Sequence, residues 1–284
     1  MKSKHAGAAL LLVALAAGRS WAQSRPLATE DPETIGAGQI LIEGGYDYQH
    51  AVFYPASGLT GNLNRVGTFG INFGVSSIAE IELKGGLQDW LSITNRAPAP
   101  LSDMLTVTGN TTRDFEDAII GAKVRFAPET ATRPSIALKF STRLPNANNE
   151  TGLGLDTTDF NFNFLVGKTV QSVRFVGNIG LGILGDAARG DVQNDVLNYG
   201  VSAARAVANG VEIVADFAGR LSTRRGTPPI GTESRSVMRL GARFTHGAVR
   251  YDTALLIGVT KNDPPWGITG GFTWVFKAFT VPTR

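Results

Sequence analysis

The sequence predicts an all-β fold in which one antiparallel sheet closes into a transmembrane barrel of about twelve strands. First, apolar and polar residues alternate with period two along most of the chain. Phe69, Ile71 and Phe73, for example, are separated by Gly70 and Asn72. Such alternation is typical of strands with two different faces. Second, many of the 34 glycines lie within these segments, where barrels use glycine for bends and close packing. Third, no long segment keeps apolar residues at helical spacing.

The chain begins with a segment typical of a secretory signal peptide. Lys2 and Lys4 precede an apolar run over residues 6–17, and Ser20 and Ala22 are small residues at the positions that signal peptidase reads. The run is shorter than the roughly 20 apolar residues that span a bilayer. We therefore expect residues 1–22 to be a leader, cleaved near Ala22.

The charge balance argues against a nucleic-acid partner. The net charge of +3 belongs to the leader, because the remaining basic side chains equal the 24 acidic ones in number. The mature chain therefore has no excess positive charge to attract phosphates. The chain has no cysteine, so disulfides and thiolate metal sites are excluded.

Two-sided segments follow one another to the end of the chain. The first strand is predicted at residues 40–49, and a pair follows within residues 67–88. The others are predicted at residues 117–126, 135–144, 159–170, 173–184, 197–207, 211–221, 235–245, 248–260 and 266–279.

The connections between these strands alternate in length. Short turns at residues 76–78, 171–172, 209–210 and 246–247 alternate with longer polar loops such as residues 91–112, 145–158 and 223–234. Outer-membrane barrels have short periplasmic turns, longer external loops, an apolar exterior and a polar interior. The sequence therefore predicts a barrel in the outer membrane of a Gram-negative bacterium, with membrane lipids and the barrel-assembly machinery as partners.

Turn length and alternation also predict the register of two hairpins. A three-residue turn at residues 76–78 pairs Phe73 with Ile81 and places Asn72 opposite Glu82. A two-residue turn at His246-Gly247 would place Phe244 beside Val249 and Arg243 beside Arg250.

Four parts of the chain are distinguished: the leader (1–22), an N-terminal periplasmic segment (23–35), the barrel (36–279) and a short tail (280–284). Residues 23–35 lack alternation, and we leave two hypotheses open: the segment is a partial plug of the periplasmic mouth, or it is an ordered lead-in to the first strand. Outer-membrane barrels typically end on an aromatic residue, whereas Phe279 is followed by five more residues, so the assembly signal is internal or weakened.

Charged residues on the polar faces are the candidate functional groups, and we predict that they line the lumen. They are Glu80, Glu82, Lys84, Asp117, Lys123, Arg125, Lys139, Arg143, Arg174, Glu212, Asp216, Arg220, Arg235, Arg239, Arg243, Arg250 and Asp252.

Arg235, Arg239 and Arg243 form a ladder on one face of one strand. The planar guanidinium suits carboxylates, so the ladder could select organic anions in a pore. The alternative, which we favour, is that these arginines pair with Asp216 and Asp252 and fill the lumen. The same choice applies to the residues from Glu80 to Lys84 and the strand that follows them.

Several stretches resemble the phenol-degradation MetA-pathway family of outer-membrane proteins. The N-terminal match is RPLATED at residues 25–31, followed by Gly36, Gly38 and Glu43. Further matches are Asp117 with GAKVRF at residues 121–126, Leu144-Pro145, TGLGLD at residues 151–156, Lys261-Asn262-Asp263, and WGITGGF at residues 266–272. The resemblance covers nearly the whole mature chain. It implies a porin-like barrel and passage of small compounds, including aromatic or hydrophobic ones.

Other functions are weighed against transport. A closed structural or adhesive barrel stays open as the main alternative. An enzyme is disfavoured, because none of His5, His50 and His246 lies beside a serine in the pattern that nucleophilic catalysis needs. A soluble secreted β-sandwich does not account for the arginine ladder. We expect no catalytic residue, no metal and no cofactor, and the sequence does not identify the solute.

Overall fold

The computed structural model describes residues 25–281, so the predicted leader, His5 and residues 282–284 lie outside the described residues. The thirteen strands are β1 Gln39–Tyr54, β2 Leu59–Gly74, β3 Ala79–Arg96, β4 Thr111–Asp114, β5 Ile119–Ala127, β6 Ser135–Arg143, β7 Asp159–Val170, β8 Val173–Gly185, β9 Gln193–Ala208, β10 Val211–Ser222, β11 Arg235–His246, β12 Val249–Gly258 and β13 Trp266–Lys277. Two short 3-10 helices lie at Ser102–Met104 and Asn149–Thr151. Within residues 25–281, no helix is long and apolar enough to cross a bilayer.

Twelve of the strands form one closed antiparallel ring, which confirms the predicted fold class. Each long strand pairs with its neighbours in sequence, and β1 pairs with β13 to complete the ring. The short strand β4 pairs with the far part of β3, beyond the residues of β3 that pair with β5. Closure satisfies the backbone hydrogen-bonding groups that an open edge would leave exposed to lipid.

Burial across the wall is the reverse of that in a soluble protein. On β3, Glu80 and Glu82 are 1% and 2% exposed, whereas Ile81 between them is 46% exposed. On β6, Lys139 is buried and Phe140 is exposed. The charged residues therefore face the interior, and the outer surface is a band of aliphatic and aromatic side chains, as in a barrel surrounded by hydrocarbon.

One of the two predicted hairpin registers is confirmed and the other is wrong. Phe73 pairs with Ile81, and Asn72 pairs with Glu82. At the later hairpin His246 is still in the strand and pairs with Val249, so the turn is formed by Gly247 and Ala248. Gly247 has φ +61°, a conformation that favours glycine in a tight turn. The actual register differs from the prediction by two residues, which leaves every side chain on its predicted face.

The strands β1, β2 and β3 run further than their sequence pattern predicts. They have 16, 16 and 18 residues, and only residues 55–58 join β1 to β2. The pattern breaks at Gly67, where β2 skips a residue relative to β1 and φ is +69°. Beyond this bulge Arg65, rather than Val66, faces inward, so a single alternation no longer describes the strand.

The two ends of the barrel differ. We call the end with the short connections, such as residues 75–78 and 209–210, the turn end, and the opposite end the loop end. At the loop end Val52, Leu59, Leu63 and Leu91 form a buried apolar cluster, against which loop residues including Leu105 and Leu153 pack. The long loops thus fold over the barrel mouth rather than extending from it.

Candidate functional site

The N-terminal segment, described from Arg25 to Ile35, lies inside the lumen. Close to β1, the backbone N–H of Ile35 donates to the carboxylate of Glu80 at 2.8 Å. At its other end, the guanidinium of Arg25 donates to the hydroxyls of Thr68 (3.2 Å) and Thr269 (2.9 Å), on strands β2 and β13. The segment therefore enters from the turn end and extends into the barrel, as the plug hypothesis requires.

Two glycines make room for Arg25. Gly45 on β1 and Gly271 on β13 are directly opposed across the pair of strands that closes the ring. A Cβ atom at Gly45 would lie 2.4 Å from the guanidinium, and one at Gly271 would lie 2.7 Å from it. The three atoms nearest to a Cβ at Gly45 all belong to the guanidinium of Arg25, whereas a Cβ at Gly271 would also lie 2.4 Å from the backbone carbonyl oxygen of Gly44. The glycines within these strands therefore define a recess for the guanidinium in the barrel wall.

The charged and polar groups around Arg25 hold it further. Its Nε lies 3.5 Å from the carboxylate of Asp252. Its carbonyl oxygen accepts a hydrogen bond from Arg243 at 2.9 Å and a longer one from Arg250 at 3.4 Å. Its backbone N–H donates to Glu43 at 3.4 Å. One residue of the segment thus contacts strands on both sides of the closure.

The middle of the segment is held by a carboxylate of the barrel wall. The backbone N–H groups of Ala28 and Thr29 donate to Asp216 at 3.2 and 3.1 Å, and the hydroxyl of Thr29 donates to the same carboxylate. Asn178 exchanges hydrogen bonds of 2.7 and 2.9 Å with the backbone of Glu30. These contacts satisfy backbone groups that would otherwise be buried without partners.

Glu30 projects into a group of lysines. Its carboxylate lies 2.5 Å from the ammonium of Lys139 and also contacts Lys84. Burial by itself would raise the pKa of the Glu30 carboxyl, but the ammonium groups of Lys139, Lys84 and Lys123 outweigh this effect and lower the pKa well below its ordinary value. Glu30 is therefore charged at neutral pH and neutralises part of the cationic wall.

Two more carboxylates of the segment pair with arginines near the turn end. Asp31 receives two hydrogen bonds from Arg174, at 2.7 and 2.9 Å, in the bidentate geometry that suits a guanidinium. Arg174 also contacts Glu129 at 2.5 Å. Glu33 pairs with Arg125. The segment thus supplies the acidic partners for several wall cations.

The predicted arginine ladder divides into three environments. Arg239 pairs with Asp216 at 3.1 Å, as the network hypothesis requires. Arg243 lies 3.6 Å from Glu212, whereas Asp252 pairs with Arg25 of the N-terminal segment rather than with the ladder.

Arg235, the remaining member of the ladder, forms no ion pair with any residue of the described chain, and its Nε is buried without a hydrogen-bond partner. Its Cα partner on β10 is Arg220, which donates only to the carbonyl oxygens of Glu233 (3.0 Å) and Gly231 (2.7 Å).

The second predicted group forms a network within the wall. Lys123 lies 2.8 Å from Glu80, and Glu82 accepts from Lys139 at 2.5 Å. Lys84 lies 3.4 Å from Glu82. Nearer the loop end, Arg143 bridges Asp117 and Asp159 at 2.5 and 2.6 Å. Asp117 also accepts from the backbone N–H groups of residues 146 and 147, so it fixes the start of a long loop.

Several lumen residues were not among the predicted ones. The acidic residues of the N-terminal segment have no strand periodicity that would mark them as partners for charges far along the chain. Arg65, Asp89 and Glu116 form a further cluster, in which Arg65 lies 3.4 Å from Asp89 and 3.0 Å from Glu116. The stretch at residues 59–66 was the one sequence feature that pointed to this cluster. It was hard to recognise, because the alternation of inward and outward residues changes phase at Gly67.

Three cavities remain in the lumen beside the segment, and Arg65 and Ile119 line all three. The central cavity has a volume of about 550 Å³. A second cavity, beside Arg25 at the inner end of the segment, has a volume of about 250 Å³. The loop-side cavity, lined by Leu155 and other loop residues, has a volume of about 320 Å³. Since they share lining residues, the cavities adjoin one another.

The described residues offer no group for metal chemistry. In residues 25–281, no set of three or more histidine and carboxylate side chains lies close enough together to hold a metal ion. His50 stacks on Trp266 and His246 stacks on Phe244, at ring distances of 5.5 and 6.4 Å.

Comparison with known proteins gives a structural likeness and no sequence match. No family model matches the chain, and no curated protein matches it. The COG4313 outer membrane channel from Pseudomonas putida F1 superposes with a TM-score of 0.60 at 13% sequence identity, over 87% of this chain and 98% of that chain. This chain has the fold of an outer-membrane barrel.

Two further solved structures are less similar. The translocator domain of the autotransporter NalP from Neisseria meningitidis has a TM-score of 0.47 and 14% identity, over 86% of this chain and 89% of that domain. LpxR from Salmonella typhimurium has a TM-score of 0.47 and 11% identity, over 84% of this chain and all of that chain (100%). At this level neither likeness bears on function.

Proposed function

We propose that this chain is an outer-membrane channel for small compounds, including aromatic or hydrophobic ones, in a Gram-negative bacterium. The observation that carries the proposal is the lumen itself. It is lined by charged residues, surrounded by an apolar exterior, and contains three adjoining cavities, of which the largest measures about 550 Å³. Cavities that share lining residues provide space for small solutes beside the N-terminal segment.

The N-terminal segment sets the size of the solute. Its ion pairs with Lys139 and Arg174 hold it within the lumen, so solutes must pass through the space that it leaves. The cavities have apolar as well as charged lining, including Ile119 and Leu155, which suits solutes with an apolar body. The MetA-pathway resemblance and the fold of the Pseudomonas putida channel agree with this function.

A closed structural or adhesive barrel is the second candidate, and the dense anchoring of the N-terminal segment favours it. An enzyme is not proposed, because the two described histidines stack on aromatic rings. Channel and closed barrel differ in whether the seated segment leaves a path through the lumen.

Single-channel conductance of the refolded mature chain in a planar bilayer tests the proposal, with liposome uptake of a neutral aromatic solute such as benzyl alcohol as a second readout. Correct folding is checked first by heat-dependent gel migration. A channel gives steady small conductance steps and solute uptake above that of protein-free liposomes. Folded protein that gives neither would favour the closed barrel.

A further inference from the structure

Arg220 and Arg235 are lumen arginines without an acidic partner in the described chain, whereas most other cations of the wall have one. Arg250 on β12 forms no ion pair with the described residues either, but it donates to the carbonyl oxygen of Arg25. Arg220 and Arg235 are Cα partners on β10 and β11, so their side chains project side by side into the lumen. Among residues 25–281, neither forms an ion pair. Two guanidinium groups this close repel each other in a medium of low dielectric constant. An anion placed between them would remove that repulsion.

Both side chains have hydrogen-bond donors to spare. A guanidinium has five N–H donors. Arg220 uses two of its nitrogens on the carbonyl oxygens of Glu233 and Gly231. These bonds fix the orientation of Arg220 without neutralising its charge. Arg235 makes no side-chain hydrogen bond in the described part of the chain.

Neighbouring carboxylates of the described chain form no ion pair with either arginine. Asp216 pairs with Arg239 and with Thr29 of the N-terminal segment. Asp263 accepts from the backbone N–H of Ser236 at 2.9 Å and from Thr260 at 2.7 Å. Glu233 accepts from the backbone N–H of Gly231 at 3.0 Å, whereas its other carboxylate oxygen is buried without a hydrogen-bond partner in the described chain. This carboxylate nevertheless forms no ion pair with Arg220 or Arg235, so both arginines lack a paired acid within residues 25–281.

The arginines stand where two cavities meet. Both line the central cavity of about 550 Å³ and the loop-side cavity of about 320 Å³. The loop-side cavity is otherwise lined by Tyr54, Phe115 and Leu155 among other apolar groups. The carboxylates of Asp89, Glu116 and Asp117 also line this cavity, but each is paired with Arg65 or Arg143. A ligand here therefore meets paired charges, apolar side chains and the two arginines that have no acidic partner.

We propose that Arg220 and Arg235 form a binding site for a small organic carboxylate with an apolar body, such as an aromatic acid. The planar forks receive the carboxylate oxygens, since this is the geometry that guanidinium groups recognise best. The apolar body occupies the loop-side cavity, whose volume lies within the range of small-molecule sites. This inference deepens the proposed channel function by naming a solute class.

Benzoate is the probe, and benzyl alcohol is its uncharged counterpart of nearly equal size. Binding to the folded, full mature chain is measured by calorimetry at low ionic strength. Arg235→Gln is the test variant, Arg235→Lys keeps the charge without the fork, and Arg205→Gln removes one charge at a residue that faces away from the lumen. Each variant is first checked for heat-dependent gel migration.

The site predicts that benzoate binds more tightly than benzyl alcohol, that Arg235→Gln weakens benzoate binding by about tenfold or more, and that Arg235→Lys recovers part of the loss. Arg205→Gln leaves binding unchanged. Equal affinities for the two probes in the unmodified chain would overturn the proposal, as would an equal loss in both glutamine variants.

Uptake into liposomes separates this inference from the channel function. If benzyl alcohol enters the liposomes but Arg235→Gln binds benzoate as tightly as the unmodified chain does, the carboxylate site is wrong and the channel function stands. If benzoate binds through Arg235 but no solute crosses, the site stands and the channel function is wrong.

Discussion

The contact between Asp31 and Arg174 predicts how strongly the N-terminal segment is held. Asp31→Asn removes the negative charge and replaces one of the two acceptor oxygens by a donor, so one of the hydrogen bonds at 2.7 and 2.9 Å is lost. The side chains are 13% and 14% exposed, so solvent screens the pair only in part. Arg174 keeps Glu129 as a partner, which limits the cost.

A single charge-assisted hydrogen bond contributes about 2 kcal/mol. The equilibrium between seated and displaced segment should therefore shift by roughly thirtyfold toward the displaced form. In single-channel recordings, we expect Asp31→Asn to spend correspondingly more time in a state of larger conductance. Asp103→Asn is the matched control, because Asp103 is an exposed acid in a loop helix. An unchanged occupancy of the larger state in Asp31→Asn would refute the reasoning.

Three further predictions concern the segment and the loop end. Gly45→Val places a side chain into the recess that holds the guanidinium of Arg25 and should increase conductance. Gly270→Val, whose Cβ meets only a carbonyl oxygen at 3.6 Å, should leave the conductance unchanged. Equal effects of the two variants in bilayer recordings would contradict the recess. The pKa of the Glu30 carboxyl lies well below its ordinary value of 4.5, so its stabilising charge is lost only at pH values below that ordinary value. Conductance should therefore stay constant from neutral pH down to the ordinary value and rise only below it. Glu30→Gln should abolish the rise, and a midpoint near pH 6 would exclude this origin. Leu63→Ala should cost about 2–5 kcal/mol of local stability and expose the long loops to limited proteolysis, whereas the outward-facing Leu87→Ala should leave the cleavage rate unchanged.

The two faces of the barrel wall could be predicted from the sequence, because a strand between lipid and a polar lumen must alternate apolar and polar residues. The exposure of Ile81 between the buried Glu80 and Glu82 follows directly from alternation and the length of the following turn. The register at His246 could not be obtained in the same way, since a shift of two residues preserves both faces. Only the positive φ of Gly247 decides it.

The contacts of the lumen were harder to predict. Periodicity shows that Asp252 faces inward, but not that its partner is Arg25, more than two hundred residues earlier. Pairing among lumen charges depends on where a non-periodic segment lies, and that is determined by the space left at Gly45 and Gly271. The same lack of periodicity left the plug and the lead-in as equal hypotheses for residues 23–35.

The position of Arg25 has a consequence for the order of assembly. Its guanidinium donates to Thr269, 244 residues away, and its backbone N–H donates to Glu43 on the first strand. These partners come together only when the first and last strands have met. Because contacts so distant in the chain form late, the segment can seat only in a finished ring. Seating then adds contacts at the junction of β1 and β13, the pair of strands that closes the ring, and so stabilises the closed barrel.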